Sequence, residues 1–566
     1  EAGIKGANEI FFAIIATTIT LIAVFFPIVF LEGMTGRLFR EFSIVIAGSV
    51  AISAFVALTL TPMLATKMLK SRHQRSKAYE FSEKFFIWMN ESYRSSLETF
   101  LNKRYLSLIV IFVSVVLIGI LWKAIPAEMA PLEDRSQLNI RTTMPEGSTY
   151  EFNLGYNEQV TKLVEDKVPE GDKVTSMVRG SMSFVRVVLV SPDERDRSQQ
   201  EIANQLTAEL RKMTKARAMV VQQSTFGGRR AGQPIQYVLQ APTIEKLREI
   251  LPAFMAEVQD NPIFSMPDVD LKFTKPELQI VINRDKANLL GVSTQNIGQT
   301  LQLALSGQRF GYFIMNGKQY QILGEMARND RNKPLDLKSL YVRNNTGQMV
   351  QLDNFVELEE ATAPPQLYRY NRFVAATVSA GLAEGKTISE GLEEMDKIAA
   401  KVLDDSFRTA LAGDSKDFME SSSSLMFAFL LAIVLIFLVL SAQFESFKDP
   451  IIVMMTVPMA LVGALIFMWY FGITMNIFAQ IGIIMLIGLV SKNGILIVEF
   501  ANQRKEAGMN KFDAISYASA ARLRPILMTS FSTILGILPL AIGLGDGAQS
   551  RVAMGIAVVG GLTIST

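Results

Sequence analysis

Cysteine is absent from all 566 residues, which excludes a disulfide framework and a thiolate metal site and leaves the redox compartment unspecified. Histidine occurs once, as His73 within the basic run Lys70-Ser-Arg-His-Gln-Arg75, where it reads as a surface residue. Charge of one sign is also missing. Lysine plus arginine number 56 against 54 for aspartate plus glutamate, so no basic field exists of the kind that draws in nucleic acid. No Gly-x-x-x-x-Gly-Lys-Ser/Thr phosphate loop occurs, so nothing points to ATP. No cleavable signal peptide is visible, because the first apolar run is too long and is punctuated by Pro and Thr.

Apolar sequence is abundant. Hydrophobic residues make up 49% and charged residues 19%, a mixture that suits a chain divided between lipid and water. Apolar spans read as 10–31, 39–66, 105–125, 425–440, 451–471, 477–500, 525–544 and 552 to the end, the last incomplete. The basic connectors Lys67, Lys70, Arg72, Arg75 and Lys77, and Arg504, Lys505, Lys511, Arg522 and Arg524, assign those turns to the cytoplasm. Segment 126–420 then lies on the outer side. Between Lys77 and Arg104, apolar residues recur at helical spacing (Phe81, Phe85, Phe86, Met89, Tyr93, Leu97, Phe100, Leu101). This reads either as an amphipathic helix on the inner membrane face or as a linker helix packed on the bundle. With no initiating Met and a stop at Thr566 inside an apolar run, the chain reads as part of a longer protein.

The outer segment alternates strand and helix patterns: strand 137–144, helix 150–168, strands 174–178 and 185–190, helix 199–213, strand 219–222. This is the β-α-β-β-α-β order of the ferredoxin-like split βαβ unit. A second copy opens with strand 235–240, helix 244–259 and strand 269–273, and closes with strand 373–380 and helix 388–403. The interruption between them carries hairpin signals at Asn316-Gly317 and Asn345-Thr-Gly347, and reads as an inserted subdomain.

Sliding the chain by 512 positions matches Pro27 with Pro539, Ile14 with Ile526, Thr17 with Thr529, Ile22 with Ile534, Gly33 with Gly545, Ile44 with Ile556, Gly48 with Gly560 and Ser53 with Ser565. Two tandem halves are a common plan of secondary transporters. The same offset places the counterpart of Lys492 twenty positions ahead of Glu1.

Lys492 lies well inside the apolar run 477–500. A cation at membrane depth costs about 3 kcal/mol on insertion scales, so it must face protein, water or a counter-charge. It marks a functional site, or it snorkels along the roughly 10 Å of helix separating it from Glu499. Thr529 is seven residues, two helical turns, from Arg522, so the two can share a face and offer donors to one acceptor. Arg522 keeps its charge whereas a desolvated lysine can lose it, which suits a site that senses protonation of a nearby carboxylate. The plainer readings are positive-inside flanking for Arg522 and Arg524, and back-bonding to a helix carbonyl for Thr529.

Gly488-Leu-Val-Ser-Lys492-Asn493-Gly-Ile-Leu-Ile-Val-Glu499-Phe-Ala501 and Arg522-Leu-Arg-Pro-Ile-Leu-Met-Thr529-Ser closely resemble the resistance-nodulation-division (RND) exporters. So do Ala442-Gln-Phe-Glu-Ser446 with Pro458, Gly547-Ala-Gln549, and Leu289-Leu-Gly-Val-Ser293. Within that family the chain resembles the hydrophobe/amphiphile multidrug efflux branch of Gram-negative bacteria, from its fifth membrane helix to part of its twelfth. The resemblance implies that Lys492, Arg522 and Thr529 form a proton relay with two aspartates of a fourth helix preceding Glu1, with Gly488 and Asn493 packing nearby. It implies a multi-pass inner-membrane protein with a large periplasmic portion: a membrane α-helical bundle plus an α+β part of repeated ferredoxin-like porter subdomains and an inserted docking subdomain.

The expected divisions are 1–69 for membrane helices, 70–104 for a cytoplasmic amphipathic helix and 105–125 for a further membrane helix. Residues 126–230 form a first porter subdomain, 231–277 with 369–412 a second, 278–368 the docking subdomain and 421–566 the remaining membrane helices. The implied function is drug/proton antiport by a homotrimer with a periplasmic adaptor and an outer-membrane channel, acting on small amphiphilic substrates in the lipid bilayer. No cofactor, metal site or catalytic residue is implied, and no nucleic acid.

The family's drug pumps carry a Gly- and Phe-rich switch loop, but the corresponding stretch here, Met177-Val-Arg-Gly-Ser-Met182-Ser-Phe184, is short. Met182 and Phe184 line a substrate pocket or belong to the core. Export of endogenous lipids or glycolipids on the same scaffold is the alternative within the class, and a non-transporting receptor or assembly factor the alternative outside it. A receptor has no need to keep a charge in lipid. A metal exporter is disfavoured, because the 27 methionines form no paired ladder.

Overall fold

Inside hydrocarbon a backbone amide finds no water, so each long apolar run pairs its own amides and carbonyls as a helix. The computed structural model describes residues 2–31, 33–68, 77–103, 105–179, 182–222, 233–364, 366–383, 385–545 and 547–566. The run around His73 and the residues Gly180 and Ser181 lie outside the described residues. Helices α1 (Ala2–Val29), α2 (Gly33–Met68), α3 (Lys77–Asn102) and α4 (Tyr105–Ala124) open the chain.

A mixed segment follows. Its first part contains β1 (Gln137–Thr143), α5 (Tyr150–Lys167), β2 (Gly171–Arg179), β3 (Met182–Leu189), α6 (Gln199–Leu210) and β4 (Arg217–Val221). The sheet order is β2-β3-β1-β4 with every neighbour antiparallel. Period-two alternation buries Val185, Val187 and Leu189 of β3, and four-residue spacing buries Tyr156, Val160 and Val164 of α5 and Ile202, Leu206 and Leu210 of α6. These side chains form one core between the sheet and its helices. The Thr149 hydroxyl caps α5, and Ser198 with Glu201 forms a capping box on α6.

The second part opens with β5 (Ile235–Ala241), α7 (Ile244–Asp260) and β6 (Phe264–Val269). It is interrupted by β7 (Lys275–Ile282), α8 (Arg284–Leu289), α9 (Thr294–Ser306), β8 (Gln308–Met315), β9 (Lys318–Gly324), α10 (Pro334–Lys338), β10 (Tyr341–Arg343), β11 (Met349–Gln351), β12 (Val356–Ala363) and β13 (Tyr368–Tyr370). It closes with β14 (Phe373–Leu382), α11 (Ile388–Val402) and β15 (Arg408–Leu411). β6 pairs with β14, β14 with β5 and β5 with β15, so the order β6-β14-β5-β15 repeats that of the first sheet. The Asn316-Gly317 turn between β8 and β9 places both residues at positive φ, 52° and 73°, as a two-residue hairpin requires.

Two strands differ from the sequence reading. β6 lies at Phe264–Val269, five residues ahead of the expected 269–273, because Phe264 is buried and Pro267 is tolerated on the edge of the sheet. β15 is a further strand of four residues, too short for its alternation to register.

The chain returns to apolar helix in α12 (Gly413–Phe444), α13 (Lys448–Met454), α14 (Thr456–Tyr470), α15 (Ile477–Glu506), α16 (Lys511–Ile542) and α17 (Gln549–Ser565). Among the described residues seven segments are long and apolar enough to span a bilayer: α1, α2, α4, α12, α13 with α14, α15 and α16. The incomplete last span is α17, 17 residues long. The 512-residue offset recurs in geometry. The Thr17 hydroxyl donates to Ile14 O at 3.1 Å and the Thr529 hydroxyl to Ile526 O at 3.0 Å. Gly33 and Gly545, at the matching turns, both hold positive φ of 75° and 96°.

Helix α3 combines the two readings of its sequence. Phe86 lies under the Arg524 guanidinium of α16 at 4.2 Å and Glu98 accepts from Ser516, while Phe85, Ile87 and Trp88 face outward.

Small residues let α14 and α17 touch backbone to backbone. A Cβ on Gly560 would stand 2.5 Å from the Phe467 Cβ and 2.7 Å from Gly463 O. Gly560→Leu in the full-length protein is expected to cost about 1–3 kcal/mol through overpacking, read as a lower thermal midpoint in detergent and lower membrane abundance.

Candidate functional site

α15 is the axis of the bundle, in contact with α1, α12, α13, α14, α16 and α17. The Asn476 side chain caps its N-terminal end by accepting from the Ala479 amide at 3.0 Å. Gly488 is buried against α1, where a Cβ would lie 2.9 Å from Leu21 Cδ1 and 3.1 Å from Val24 Cγ2. From Ile477 to Asn502, Lys492 is the single exposed residue of the helix. It makes no hydrogen bond or ion pair within the described residues, and Asn493 beside it is half-buried. The helix is thus covered on every side but the one from which its amine projects.

Arg522 sits on α16, which runs antiparallel to α15 after a tight turn. Its guanidinium lies 4.7 Å from the centroid of the Phe500 ring, and its Nε is buried with no hydrogen-bond partner. Lys492 is eight residues above Phe500, about 12 Å, and Thr529 is seven residues above Arg522, about 10 Å. The amine and the Thr529 hydroxyl therefore lie at nearly the same depth on neighbouring helices. Thr529 is exposed, and since its hydroxyl donates to Ile526 O, its oxygen lone pairs remain to accept. Phe500 is the residue that sequence reasoning missed. One aromatic among many apolar residues signals nothing until Arg522 is seen over its face, and Arg504 also stacks on the same ring at 5.0 Å.

Met182 and Phe184 occupy a different region, on β3. The alternation that buries Ser183 and Val185 leaves both exposed, on the sheet face opposite the helices. Phe184 pairs across to Met177, also exposed, and the Arg141 Nη2 lies 3.1 Å from the Met182 Sδ. Both are surface residues of this chain. Among the described residues no group of three or more His, Cys, Asp or Glu is arranged to hold a metal ion.

A family model described as the AcrB/AcrD/AcrF family matches residues 1–566. An uncharacterized transporter of Haemophilus influenzae is 30% identical over 576 residues, covering 100% of this chain and 56% of that protein. The multidrug resistance protein MdtC of Escherichia coli O7:K1 is 30% identical over 573 residues, with the same coverage of 100% and 56%. MdtC of Escherichia fergusonii is 29% identical over 573 residues. The chain spans 56% of the length of the first two of these relatives, one named a transporter and the other a multidrug resistance protein.

Replacing Phe500 by Leu keeps an apolar, somewhat smaller side chain and removes the ring face under Arg522. A loss of about 1–2 kcal/mol is expected for a desolvated pair, measurable as a lowered thermal midpoint of the purified full-length protein.

Proposed function

The chain belongs to the AcrB/AcrD/AcrF family of transporters, and on that premise we propose that it is part of a proton-driven exporter of hydrophobic and amphiphilic compounds. The observation that carries this reading is the lone exposed lysine on an otherwise covered membrane helix. In the proposed mechanism, carboxylates of a helix ahead of Glu1 face Lys492, while Arg522 holds a permanent charge and Thr529 supplies one acceptor oxygen at the depth of the amine. Proton entry neutralises a carboxylate and weakens its attraction to Lys492. The helices then settle into a second packing, as an electrostatic event biasing a bistable element. Lysine suits this role because its compact ammonium responds to the charge state of its partner.

Residues 126–230, and 231–277 with 369–412, are the porter subdomains in this reading, with 278–368 as the docking subdomain. The recurring strand order supports their split βαβ character. The exposed Met177, Met182 and Phe184 surface is the corresponding candidate for substrate contact, being apolar, soft and rimmed by Arg141. The assembled form is a homotrimer in the bacterial inner membrane, coupled to a periplasmic adaptor and an outer-membrane channel.

The primary test is gradient-dependent dye efflux from cells carrying the full-length parent, wild type against Lys492→Ala at equal membrane abundance. Loss of efflux is expected; wild-type efflux would make Lys492 a snorkelling anchor. Phe184→Ala is expected to change the ranking of exported dyes while leaving gradient dependence intact, checked by comparing half-saturation across a dye panel.

A further inference from the structure

The stretch 126–137, joining α4 to β1, is tied down along its length. Met475 N–H donates to Pro126 O at 2.9 Å, Glu128 N–H to Met475 O at 3.2 Å and Ile477 N–H to Met129 O at 3.3 Å. Ala127 and Met475 form a parallel bridge, and the Thr474 hydroxyl donates to the Glu128 carboxylate. All these partners sit at the N-terminal end of α15, the helix of Lys492.

A few residues on, the buried carboxylate of Glu133 accepts from the hydroxyl of Ser550, in the first turn of α17, and from Arg135 Nη2 at 3.0 Å. Asp134 then takes a charged hydrogen bond from the buried Arg195 side chain and the N–H of Gln199, first residue of α6, at 2.9 Å. Gln199 Oε1 in turn accepts the amides of Arg135 at 3.0 Å and Gln137 at 3.1 Å. Three carboxylates of one short connector meet the N-terminal ends of three helices, Glu128 and Glu133 through the hydroxyls of Thr474 and Ser550 and Asp134 through the free first amide of α6.

We propose that the stretch 126–137 is a strap that carries displacements of α15 into the first sheet, with Glu133 the positioning residue that clamps α17 to it. This rests on the exporter reading above. From Ile477 to Lys492 is about 22 Å of regular helix, which moves as a rod. From Met129 to the first residue of β1 the chain has eight steps, and those at 133, 134, 135 and 137 are hydrogen-bonded, so little slack remains to absorb a shift. The anchors are charge-assisted hydrogen bonds to partly or fully buried groups, the class most costly to break. Burial pushes the Asp134 carboxyl up, but donors from Arg195, Gln199 and Ser136 outweigh that and hold it below the usual carboxylate value, so the anchor stays charged.

The test uses the full-length parent made cysteine-free outside an introduced pair, Glu128→Cys with Thr474→Cys, whose native side chains touch. Cross-linking is expected to leave gradient-driven dye efflux within about twofold of the reduced form, because strap and helix move together. A reductant-reversible loss of about tenfold or more would mean that the strap slides along α15, and would overturn the proposal. Glu133→Ala is expected to lower the maximal efflux rate roughly tenfold, as the loss of a charged hydrogen bond implies, with half-saturation unchanged and Glu133→Gln partly restoring it. Should Glu133→Ala fail to accumulate, Ser550→Ala removes the same contact from the other side. A wild-type maximal rate in either alanine variant overturns the clamp. The relay is scored separately: if Lys492→Ala pumps normally while Glu133→Ala does not, the relay reading fails and the strap stands.

Discussion

A cation placed deep in an apolar helix must be compensated, because hydrocarbon offers it neither water nor polarizable neighbours. That constraint organises the bundle around α15. Its other residues are covered by α1, α12, α13, α14, α16 and α17, and only the sector of Lys492 is open. A helix held from so many directions shifts as a unit rather than bending locally. In the proposed reading, a change of charge opposite Lys492 acts on the whole helix and on whatever is fastened to its ends.

What is fastened to the N-terminal end of α15 is a hydrogen-bonded connector, and beyond it a sheet whose base carries two ion pairs. Arg195 meets Asp134 and Arg197 meets Glu170, joining the turn ahead of α6 to the connector ahead of β1 and to the loop ahead of β2. Hydrogen bonding from Arg197 holds the Glu170 carboxyl below its usual value. Both carboxylates bind protons less readily in the fold than in the unfolded chain. Their contribution to stability is present above the ordinary carboxylate pKa and is lost as pH falls through the lowered folded value. At neutral pH both carboxylates are therefore ionised and paired with their arginines. The second sheet runs directly into α12, with a single residue between β15 and the helix.

The tandem halves supply the same economy of parts within the membrane. α1 with α2 and α16 with α17 share a proline near the outer helix end, a left-handed glycine at the turn and a threonine bonded back to the carbonyl three residues earlier. Identical local chemistry at both positions makes identical local geometry, although α17 is enclosed by glycine contacts with α14 while α2 is largely exposed.

Much of this was legible without coordinates. Membrane helices follow from apolar runs because lipid permits no other pairing of their backbones, and the strands and helices of both sheets follow from period two and period 3.6. The lysine announced itself by violating its surroundings. β6 was misplaced because its Pro267-Asp268 pair mimics a turn, and β15 was too short to carry a pattern. What tertiary structure alone decided was adjacency: the Phe500 ring under Arg522, the exposure of Met182 and Phe184, and the meeting of Glu133 with Ser550 more than 400 positions away. Periodicity specifies which face of an element is buried, but the partner that buries it is chosen by the packing of elements far apart in the chain, and no local pattern encodes that choice.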